Sequence, residues 1–343
     1  MSRSDESFLT LGMESSCDDT AVAVLRGPCK VEAELLSSQI KDHAPFGGVV
    51  PEFAARRHLE AFLPLTEEAL RRAGVKEPRE EIGLIAVTSG PGLMGSLLVG
   101  VMAAKALALA WERPLIGVNH LEGHIFANVV SYPDLAPPFL CMIVSGGHTE
   151  IVLVKRFGEY LLLGGTRDDA AGEAYDKVAK AMGLPYPGGP VVDRLAAEGD
   201  PHAFDFPRPL KGSREIEFSF SGLKTAAITA LKKLERAGVE VPVEDFCASF
   251  QRAVTETLMN KLRLASRRTG IRTVSISGGV AANSALREAL RNERGWRVCI
   301  PPVDRCTDNA VMIAAAGYAA FRRGESSTLD LAPDPSWEIW KKQ

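Results

Sequence analysis

Residues 8–25, FLTLGMESSCDDTAVAVL, predict a buried β-hairpin near the start of the chain. Two apolar runs, Phe8–Met13 and Thr20–Leu25, have the length and composition of strands, and the polar residues between them predict a turn. The acids of this turn are Glu14, Asp18 and Asp19. Acids commonly form turns, but a cluster of three could also bind Mg²⁺ or direct a nucleophile.

The same pattern of strand, polar turn and strand recurs further along the chain. Phe139–Val144 and Thr149–Val154 flank the turn Ser145–His148, and a looser copy, the strand Thr273–Ser277, leads through two glycines into a helix predicted for Ala281–Asn292. Repeated glycine- and hydroxyl-rich turns at strand ends predict a duplicated α/β unit.

Length and composition indicate a soluble globular protein of about two domains. The chain has 343 residues, of which 46% are hydrophobic and 24% charged, and its net charge of −3 argues against binding nucleic acid by bulk charge. Its six cysteines include no C-x-x-C pair, which suits a reducing compartment and disfavours a thiolate zinc site. The first residues lack the apolar segment of a signal peptide.

The longest apolar run, Leu93–Trp111, predicts a buried or partner-facing helix. Lys105 lies well inside the run, and glycines interrupt it, so it is a poor transmembrane candidate. The proline-rich segment Ser131–Pro138 is the best candidate for a linker.

His120-Leu-Glu-Gly-His124 is the sharpest local signal for chemistry. Histidines four residues apart share one face of a helix and can bind one metal ion. The acid of this motif, Glu122, is displaced by one position from that of the H-E-x-x-H peptidases, so their general base is misplaced. Asp308 is a candidate third ligand, and two imidazoles with one carboxylate would suit iron or zinc.

Two glycine-containing turns are candidates for holding phosphate. Val144–Thr149 predicts a strand-end turn with exposed amides, and Ser277–Asn283 places two glycines ahead of a helix N-terminus, where the helix dipole attracts anions. Each turn could equally be a plain structural connection.

An acidic segment, Asp168–Lys177, is predicted to be helical, with Asp169, Glu173 and Asp176 on one face. Such a face is usually solvated, although it could also line a cleft that holds hydroxyl groups or a metal. The turn that follows contains Gly189, where a ligand could approach the backbone closely.

Taken together, these blocks resemble the tRNA N6-adenosine threonylcarbamoyltransferase family (bacterial TsaD), within the actin/Hsp70/hexokinase-like (ASKHA) ATP-binding superfamily. They span nearly the whole chain in the family's order. The matching blocks are Glu14–Thr20, Gly48–Glu52, Ser89–Gly92, His120–His124, Val144–Thr149, Asp168–Lys177, Pro187–Pro190, Ser219–Lys224, Ser277–Asn283 and Thr307–Asn309.

The resemblance implies a two-lobed α/β ASKHA architecture with duplicated mixed-sheet domains and helical insertions. The N-terminal lobe would cover residues 1–133, with the C-terminal helix 308–323 packing back on it. The C-terminal lobe would cover residues 138–307 with an insertion at about 166–260, and the ligand and metal cleft would lie between the lobes.

It also implies transfer of threonylcarbamoyl from its adenylate to N6 of the adenosine beside the tRNA anticodon. The implied metal ligands are His120, His124 and Asp308, for one divalent ion per subunit, with iron (Fe²⁺) preferred over zinc or magnesium. An adenylate or ATP nucleotide would occupy the cleft. The residues implied to bind it are Val144, Ser145, Gly146, Gly147, His148, Asp176, Gly189, Asp193 and Asn283. Asp18 or Asp19 is our hypothesis for the group that orients or deprotonates the amine.

The partners implied by the resemblance are a TsaB-like paralogue, bound through helices near 53–70 and 95–110, a TsaE-like ATPase and tRNA. A TsaC-like synthase would supply the threonylcarbamoyl-AMP. With so small a net charge, the grip on tRNA would depend on partners or on local patches such as Arg56, Arg57, Arg71 and Arg72. The expected location is the cytoplasm, without membrane attachment.

Three other functions remain open on the sequence. A metallopeptidase would explain the two histidines but not the glycine turns. A small-molecule kinase of the same superfamily would explain the turns but not the metal ligands. A non-catalytic tRNA-binding scaffold would bind tRNA without adding any mass to it.

Overall fold

The computed structural model describes residues 7–341 and divides the chain into two compact units. The first unit contains the residues up to Leu135 together with those from Thr307 onward, and the second contains Ala136–Cys306. The N-terminal residues 1–6, where no signal peptide is expected, lie outside the described range.

Ten strands form two sheets. They are β1 Leu9–Glu14, β2 Asp19–Arg26, β3 Lys30–Ser38, β4 Ile82–Gly90, β5 Leu115–Asn119, β6 Phe139–Val144, β7 Thr149–Arg156, β8 Glu159–Gly165, β9 Thr273–Ser277 and β10 Arg297–Cys299.

Eleven α-helices lie within the described residues. They are α1 Ile40–His43, α2 Pro51–Arg72, α3 Pro78–Glu81, α4 Met94–Trp111, α5 His120–Ser131, α6 Ala171–Ala181, α7 Gly188–Ala196, α8 Ser221–Arg236, α9 Val243–Thr269, α10 Ser284–Arg291 and α11 Ala310–Arg322. Short 3₁₀ segments occupy Ala44–Phe46, Gly279–Ala282 and Val303–Arg305.

Each unit contains the same five-stranded mixed sheet. The strand order is β3-β2-β1-β4-β5 in the first unit and β8-β7-β6-β9-β10 in the second. In both, the first three strands are antiparallel neighbours, and the last two run parallel to the central strand. The predicted hairpins and the predicted duplication of an α/β unit are therefore confirmed.

The core of the first unit packs helices against both faces of its sheet. β1 is buried along its whole length, as its mainly apolar sequence predicts, and its polar residues Thr10 and Glu14 are buried with it. Helix α11 contacts β1 at Gly12, where an added Cβ atom would stand 2.3 Å from the carbonyl oxygen of Ala310. This close approach fixes the N-terminus of α11 against the sheet.

The second unit has its own core, built on its sheet and on the 27-residue helix α9. Several phenylalanines fill it, including Phe218, Phe220, Phe246 and Phe250, which are fully buried. Because each unit buries its own apolar surface, neither needs a disulfide, and the structure of residues 7–341 contains none.

Helix α4 is the one helix among residues 7–341 that is long and apolar enough to cross a membrane, judged by length and composition only. A third of it is buried inside the unit. Leu97, Val101 and Ala104 lie on the buried face, whereas Met102 and Leu109 on the opposite face are more than half exposed. One face of the helix thus packs inside the unit, while the opposite face exposes apolar side chains.

Two predicted helices begin later than expected. α6 begins at Ala171, so Asp169 precedes it, and the three acids do not form one helical face. Asp168 instead accepts hydrogen bonds from the amides of Phe220 and Ser221, which holds the segment extended. α10 begins at Ser284 because the side chain of Asn283 accepts a hydrogen bond from the Leu286 amide and caps the helix.

Candidate metal and nucleotide sites

Asparagine caps position the three candidate metal ligands in the first unit. Asn119 accepts hydrogen bonds from the amides of Leu121 and Glu122, so α5 begins at the first histidine, His120. Asn309 caps α11 in the same way, immediately after Asp308. Two helix starts therefore determine where the ligands stand.

His120, His124 and Asp308 form a group that could hold a metal ion, since their ligand atoms all lie within 4.8 Å of one another. Asp308 Oδ1 lies 3.4 Å from His120 Nε2 and 3.3 Å from His124 Nε2. Both histidines are buried, while Asp308 keeps 24% of its side chain exposed. The structure thus brings together residues that are far apart in the sequence.

Glu14 anchors the first of these histidines. Its Oε2 lies 3.2 Å from His120 Nδ1 and accepts a hydrogen bond from Thr88 Oγ1, while its Oε1 accepts one from the Ser16 amide. Ser16 Oγ also lies 3.1 Å from His120 Nδ1. Nδ1 of His120 is therefore engaged with protein groups, and Nε2 is the nitrogen directed at Asp308.

The charges of these groups are strongly linked. Burial by itself would lower the pKa of His120, but the carboxylates of Asp308 and Glu14 raise it to about 10. Burial likewise opposes ionisation of Glu14 and Asp308, yet the positive charge of His120 lowers the pKa of both. Burial lowers the pKa of His124, so this ring is neutral. His120 is thus a protonated imidazolium that lies between the carboxylates of Glu14 and Asp308.

A divalent cation fits this donor set. His124 is 1% exposed; its Nδ1 has no hydrogen-bond partner among the described residues, and its Nε2 faces the Asp308 carboxylate at 3.3 Å. A buried imidazole nitrogen without a partner is costly, and coordination to a metal would satisfy one nitrogen of the ring. Two nitrogens and one carboxylate oxygen are a donor set suited to iron or zinc.

Asp18 ends the turn between β1 and β2, and Asp19 is the first residue of β2, in the same unit as the three ligands. Oδ1 of Asp19 is buried without a hydrogen-bond partner among the described residues. Burial, together with the nearby charges of Asp18 and Asp308, raises the pKa of Asp19 to about 7. Asp19 can therefore exchange a proton near neutral pH.

All of the residues predicted to bind the nucleotide lie in the second unit. The turn between β6 and β7 is closed by a hydrogen bond from the Ser145 amide to the His148 carbonyl, and Ser145 Oγ accepts from the amides of Gly147 and His148. An atom added at Gly146 or Gly147 would meet nothing within 4 Å. The amide of Gly172, in the first turn of α6, donates to the Ser145 carbonyl, so the positive end of that helix lies at the turn.

Asp193 and Asn283 lie together. Asn283 Nδ2 donates to Asp193 Oδ1 at 3.0 Å and to Gln251 Oε1 at 2.7 Å. Asp193 also accepts hydrogen bonds from the amide and hydroxyl of Ser284 at the start of α10. The polar cluster thus joins helices α7, α9 and α10 of the second unit.

Val144, Asp176 and Gly189 have separate local settings. A Cβ atom at Gly278, whose φ of 88° favours glycine, would stand 2.4 Å from the Val144 carbonyl oxygen. Asp176 Oδ1 accepts a hydrogen bond from the Gly188 amide at 2.7 Å. The next residue, Gly189, has open space where a side chain would be.

Several polar residues that organise these sites were not predicted from the sequence. Glu14 was considered as an acid available to a ligand, whereas the structure engages it with His120. Thr88, His58 and Gln251 were not singled out, although each is buried and hydrogen bonded. Polar residues at otherwise apolar positions of a strand or helix were the available signal.

Comparison with known proteins identifies the family. The family model "TsaD: tRNA N6-adenosine threonylcarbamoyltransferase" matches residues 30–315. A protein of that name from Thermosipho africanus is 49% identical over 97% of this chain and 100% of its own length. One from Anaeromyxobacter dehalogenans is 51% identical over 96% of this chain and 99% of its own length.

Solved structures share the fold at low sequence identity. Full-length HypF matches 93% of this chain and 47% of its own, with a TM-score of 0.60 and 15% identity. Component A of the (R)-2-hydroxyglutaryl-CoA dehydratase of Acidaminococcus fermentans matches 91% of this chain and 98% of its own, with a TM-score of 0.54 and 17% identity. These neighbours share the fold of two mixed sheets with helices, and together with the family match they agree with the predicted ASKHA fold class.

The family match covers the His120–His124 motif, Asp308 and the glycine-rich turns described above. The full-length relatives all carry the same enzyme name, which makes this chain a transferase that acts in tRNA modification. The resemblance drawn from the sequence is therefore confirmed, and the chain belongs to the TsaD family of tRNA N6-adenosine threonylcarbamoyltransferases.

Proposed function

We propose that this chain transfers threonylcarbamoyl from threonylcarbamoyl-AMP to N6 of the adenosine next to the anticodon, in tRNAs that read codons starting with A. The product is t6A, and AMP is released. One observation carries the proposal: a member of this family holds His120, His124 and Asp308 with their ligand atoms within 4.8 Å. We propose that they bind one divalent metal, with iron (Fe²⁺) the first choice and zinc or magnesium the alternatives.

The reaction needs help at two points. The N6 amine of adenine is a weak nucleophile because its lone pair is delocalised into the ring, so the acyl group must be activated and the amine must lose a proton. A metal bound at the three ligands would supply Lewis acidity at the carbonyl group. The remaining tasks, which are to bind, to orient and to move the proton, belong to the chain's own side chains.

We assign the proton to Asp18 or Asp19. The N6 nitrogen forms a bond to the carbamoyl carbon, the bond from that carbon to the phosphate oxygen breaks, and AMP leaves with the bonding electrons. The amine proton passes to the acid. Asp19 is supported by its pKa of about 7 and by its unpartnered Oδ1. Replacing both acids in turn by asparagine tests the assignment, because unaltered kcat in both variants on purified adenylate would rule it out.

We assign the AMP moiety to the glycine-rich turns of the second unit. The residues are Val144, Ser145, Gly146, Gly147, His148, Asp176, Gly189, Asp193 and Asn283. Support comes from the open space at Gly146, Gly147 and Gly189, where backbone can meet a ligand. Holding the leaving group in this way would keep the acyl phosphate in line with the amine.

We further propose a TsaB-like partner on an apolar groove between α2 and α4. Leu59 and Leu63 of α2, with Leu98 and Met102 of α4, are between 47% and 71% exposed and line the groove together. Exposed apolar surface of this kind indicates a protein interface. A TsaE-like ATPase, a TsaC-like synthase that supplies the adenylate, tRNA as substrate and a cytoplasmic location complete the proposal.

Nucleoside mass spectrometry tests the function. The chain is incubated with tRNA, threonine, bicarbonate, ATP and the partner proteins, and the same reaction is run with His124→Ala. We expect the t6A nucleoside with the native chain and none with the variant. Phosphate transfer to a small alcohol without t6A would instead indicate a kinase, and tRNA binding without t6A would indicate a scaffold.

A metallopeptidase is the remaining alternative, and one contact argues against it. Glu122, the acid within the His120–His124 motif, forms an ion pair with Arg323 beyond the end of α11. It is thus engaged away from the position that a peptidase base requires. Cleavage of casein that is lost in His120→Ala would revive this alternative.

A further inference from the structure

The segment Cys17–Thr20, called the turn below, carries Asp18 and Asp19 and is held by a buried histidine from another element. His58 lies on α2 and is fully buried. Its Nε2 lies 2.9 Å from the carbonyl oxygen of Cys17, and its Nδ1 lies 2.7 Å from Thr20 Oγ1. The imidazole therefore bridges the residues on either side of the two acids.

The two contacts fix the protonation of the ring. A carbonyl oxygen can only accept, so Nε2 of His58 carries the hydrogen, and Nδ1 accepts from the Thr20 hydroxyl. Burial lowers the pKa of His58, which keeps this neutral form at physiological pH. A neutral histidine with both nitrogens engaged is a rigid bridge, and this ring has no nitrogen left for a substrate.

Other side chains and backbone groups complete the hold on the turn. Ser96 Oγ of α4 donates to the same Cys17 carbonyl at 3.1 Å. The backbone N–H of Gln39 donates to the Asp18 carbonyl at 3.2 Å. The turn also touches the metal-ligand group, because Ser16 Oγ lies 3.1 Å from His120 Nδ1. The position of the turn relative to the ligands is thus set by contacts of known geometry.

We propose that His58 is a positioning residue for acyl transfer: its bridge from Cys17 to Thr20 holds Asp18 and Asp19 in place beside the metal-ligand group. The inference rests on the proposed function, in which one of these acids accepts the amine proton. His58 acts through the turn and not on the substrate. Its loss slows proton transfer while the metal ligands, which it does not touch, stay in place.

The experiment compares four variants on purified threonylcarbamoyl-AMP and tRNA. His58→Leu removes the contacts with Cys17 and Thr20, and His58→Gln restores one donor and one acceptor. Thr20→Val removes the hydroxyl that bonds to Nδ1 and leaves the bond from Nε2 to Cys17. Thr257→Val is the control, because Thr257 is also a buried threonine, but it lies on α9 of the second unit and its hydroxyl donates to the Ala253 carbonyl of the same helix. For each variant, kcat, KM, the thermal midpoint and the Kd for Co²⁺ are measured.

We expect His58→Leu to lower kcat about 10- to 100-fold, the range for a displaced catalytic group, with KM and the Co²⁺ Kd unchanged. His58→Gln should recover most of kcat, Thr20→Val should show a smaller loss, and Thr257→Val should keep kcat. Thr20→Val has nearly the native shape, so it still decides the question if His58→Leu does not fold.

Three results would overturn the inference: His58→Leu no slower than Thr257→Val, His58→Gln as slow as His58→Leu, or a loss of kcat matched by an equal loss of Co²⁺ binding. Failure of the proposed function looks different, because the native chain would then form no t6A at all. An active native chain with an equally active His58→Leu removes only the positioning role.

Discussion

Glu14 Oε2 lies 3.2 Å from His120 Nδ1, so a fully buried carboxylate sets the orientation of one candidate metal ligand. A carboxylate behind a histidine fixes its tautomer and strengthens it as a ligand. Glu14 and Asp308 each supply one negative charge, and the two charges together would balance a divalent ion at this buried site. Glu14 would thus favour a bound cation by acting through His120, although it is not one of the three candidate ligands.

Glu14→Gln should weaken metal binding about 10- to 100-fold, the usual effect of losing such a partner. The amide keeps the shape of the side chain but removes its charge. Titration of metal-free protein with Co²⁺ or Zn²⁺ measures the effect. Glu122→Gln is the control, because this acid of α5 pairs with Arg323 instead. An unchanged Kd in Glu14→Gln would show that Glu14 has no part in metal binding.

Asp19→Asn should change how stability depends on pH. The pKa of Asp19 is about 7 in the folded chain and about 4 when unfolded, so between these values the folded state binds more protons. The free energy of unfolding therefore falls as pH rises from about 4 to 7, by up to about 1.4 kcal/mol for each unit of the difference. Urea unfolding at pH 5 and pH 8 should show a smaller fall in Asp19→Asn, and an identical fall would contradict the raised pKa.

Gly147→Val should raise KM for threonylcarbamoyl-AMP without lowering stability. A Cβ at Gly147 meets nothing within 4 Å, so the new side chain has room in the free protein and obstructs only a bound ligand. Gly212→Val is the matched control, since Gly212 of the same unit has equally open space. Steady-state kinetics and thermal unfolding measure the two effects. Equal KM values in both variants would remove the β6–β7 turn from the nucleotide site.

Leu63→Asp should abolish binding of the TsaB-like partner and leave the isolated chain folded. Leu63 is 63% exposed at the groove between α2 and α4, so a charge there costs little in the free chain but is buried in a complex. Leu161→Asp, at an exposed apolar position of β8 in the second unit, serves as control. Size-exclusion chromatography of the mixture reports binding. A complex that survives Leu63→Asp places the partner elsewhere.

The sequence predicted most of the fold because its strands are continuous apolar runs that end in distinctive turns. Phe139–Val144 and Thr149–Val154 paired as expected, since a four-residue turn leaves few alternative registers. The predicted start of α6 was wrong because the carboxylate of Asp168 accepts hydrogen bonds from the backbone amides of Phe220 and Ser221, which are distant in the sequence. Contacts between segments fifty residues apart leave no local trace in the sequence.

The candidate site could likewise be predicted only in part. His120 and His124 could be paired from their spacing alone, because a helix puts residues four apart on one face. Asp308 could be named as a candidate third ligand, but the geometry that joins it to the histidines depends on the packing of α11 against β1 at Gly12. The roles of Glu14 and His58 could not be predicted, since each depends on which buried group lies opposite in the folded chain.

The central claim is that acyl transfer depends on a metal held by His120, His124 and Asp308. The most direct test is to strip the protein of metal, return Fe²⁺ or Zn²⁺ in steps, and follow t6A formation from purified threonylcarbamoyl-AMP and tRNA in the presence of the partner. We predict that activity returns in proportion to metal up to one equivalent per chain, and that His124→Ala and Asp308→Ala recover none. Full turnover by the stripped protein, or by either variant, would contradict the claim.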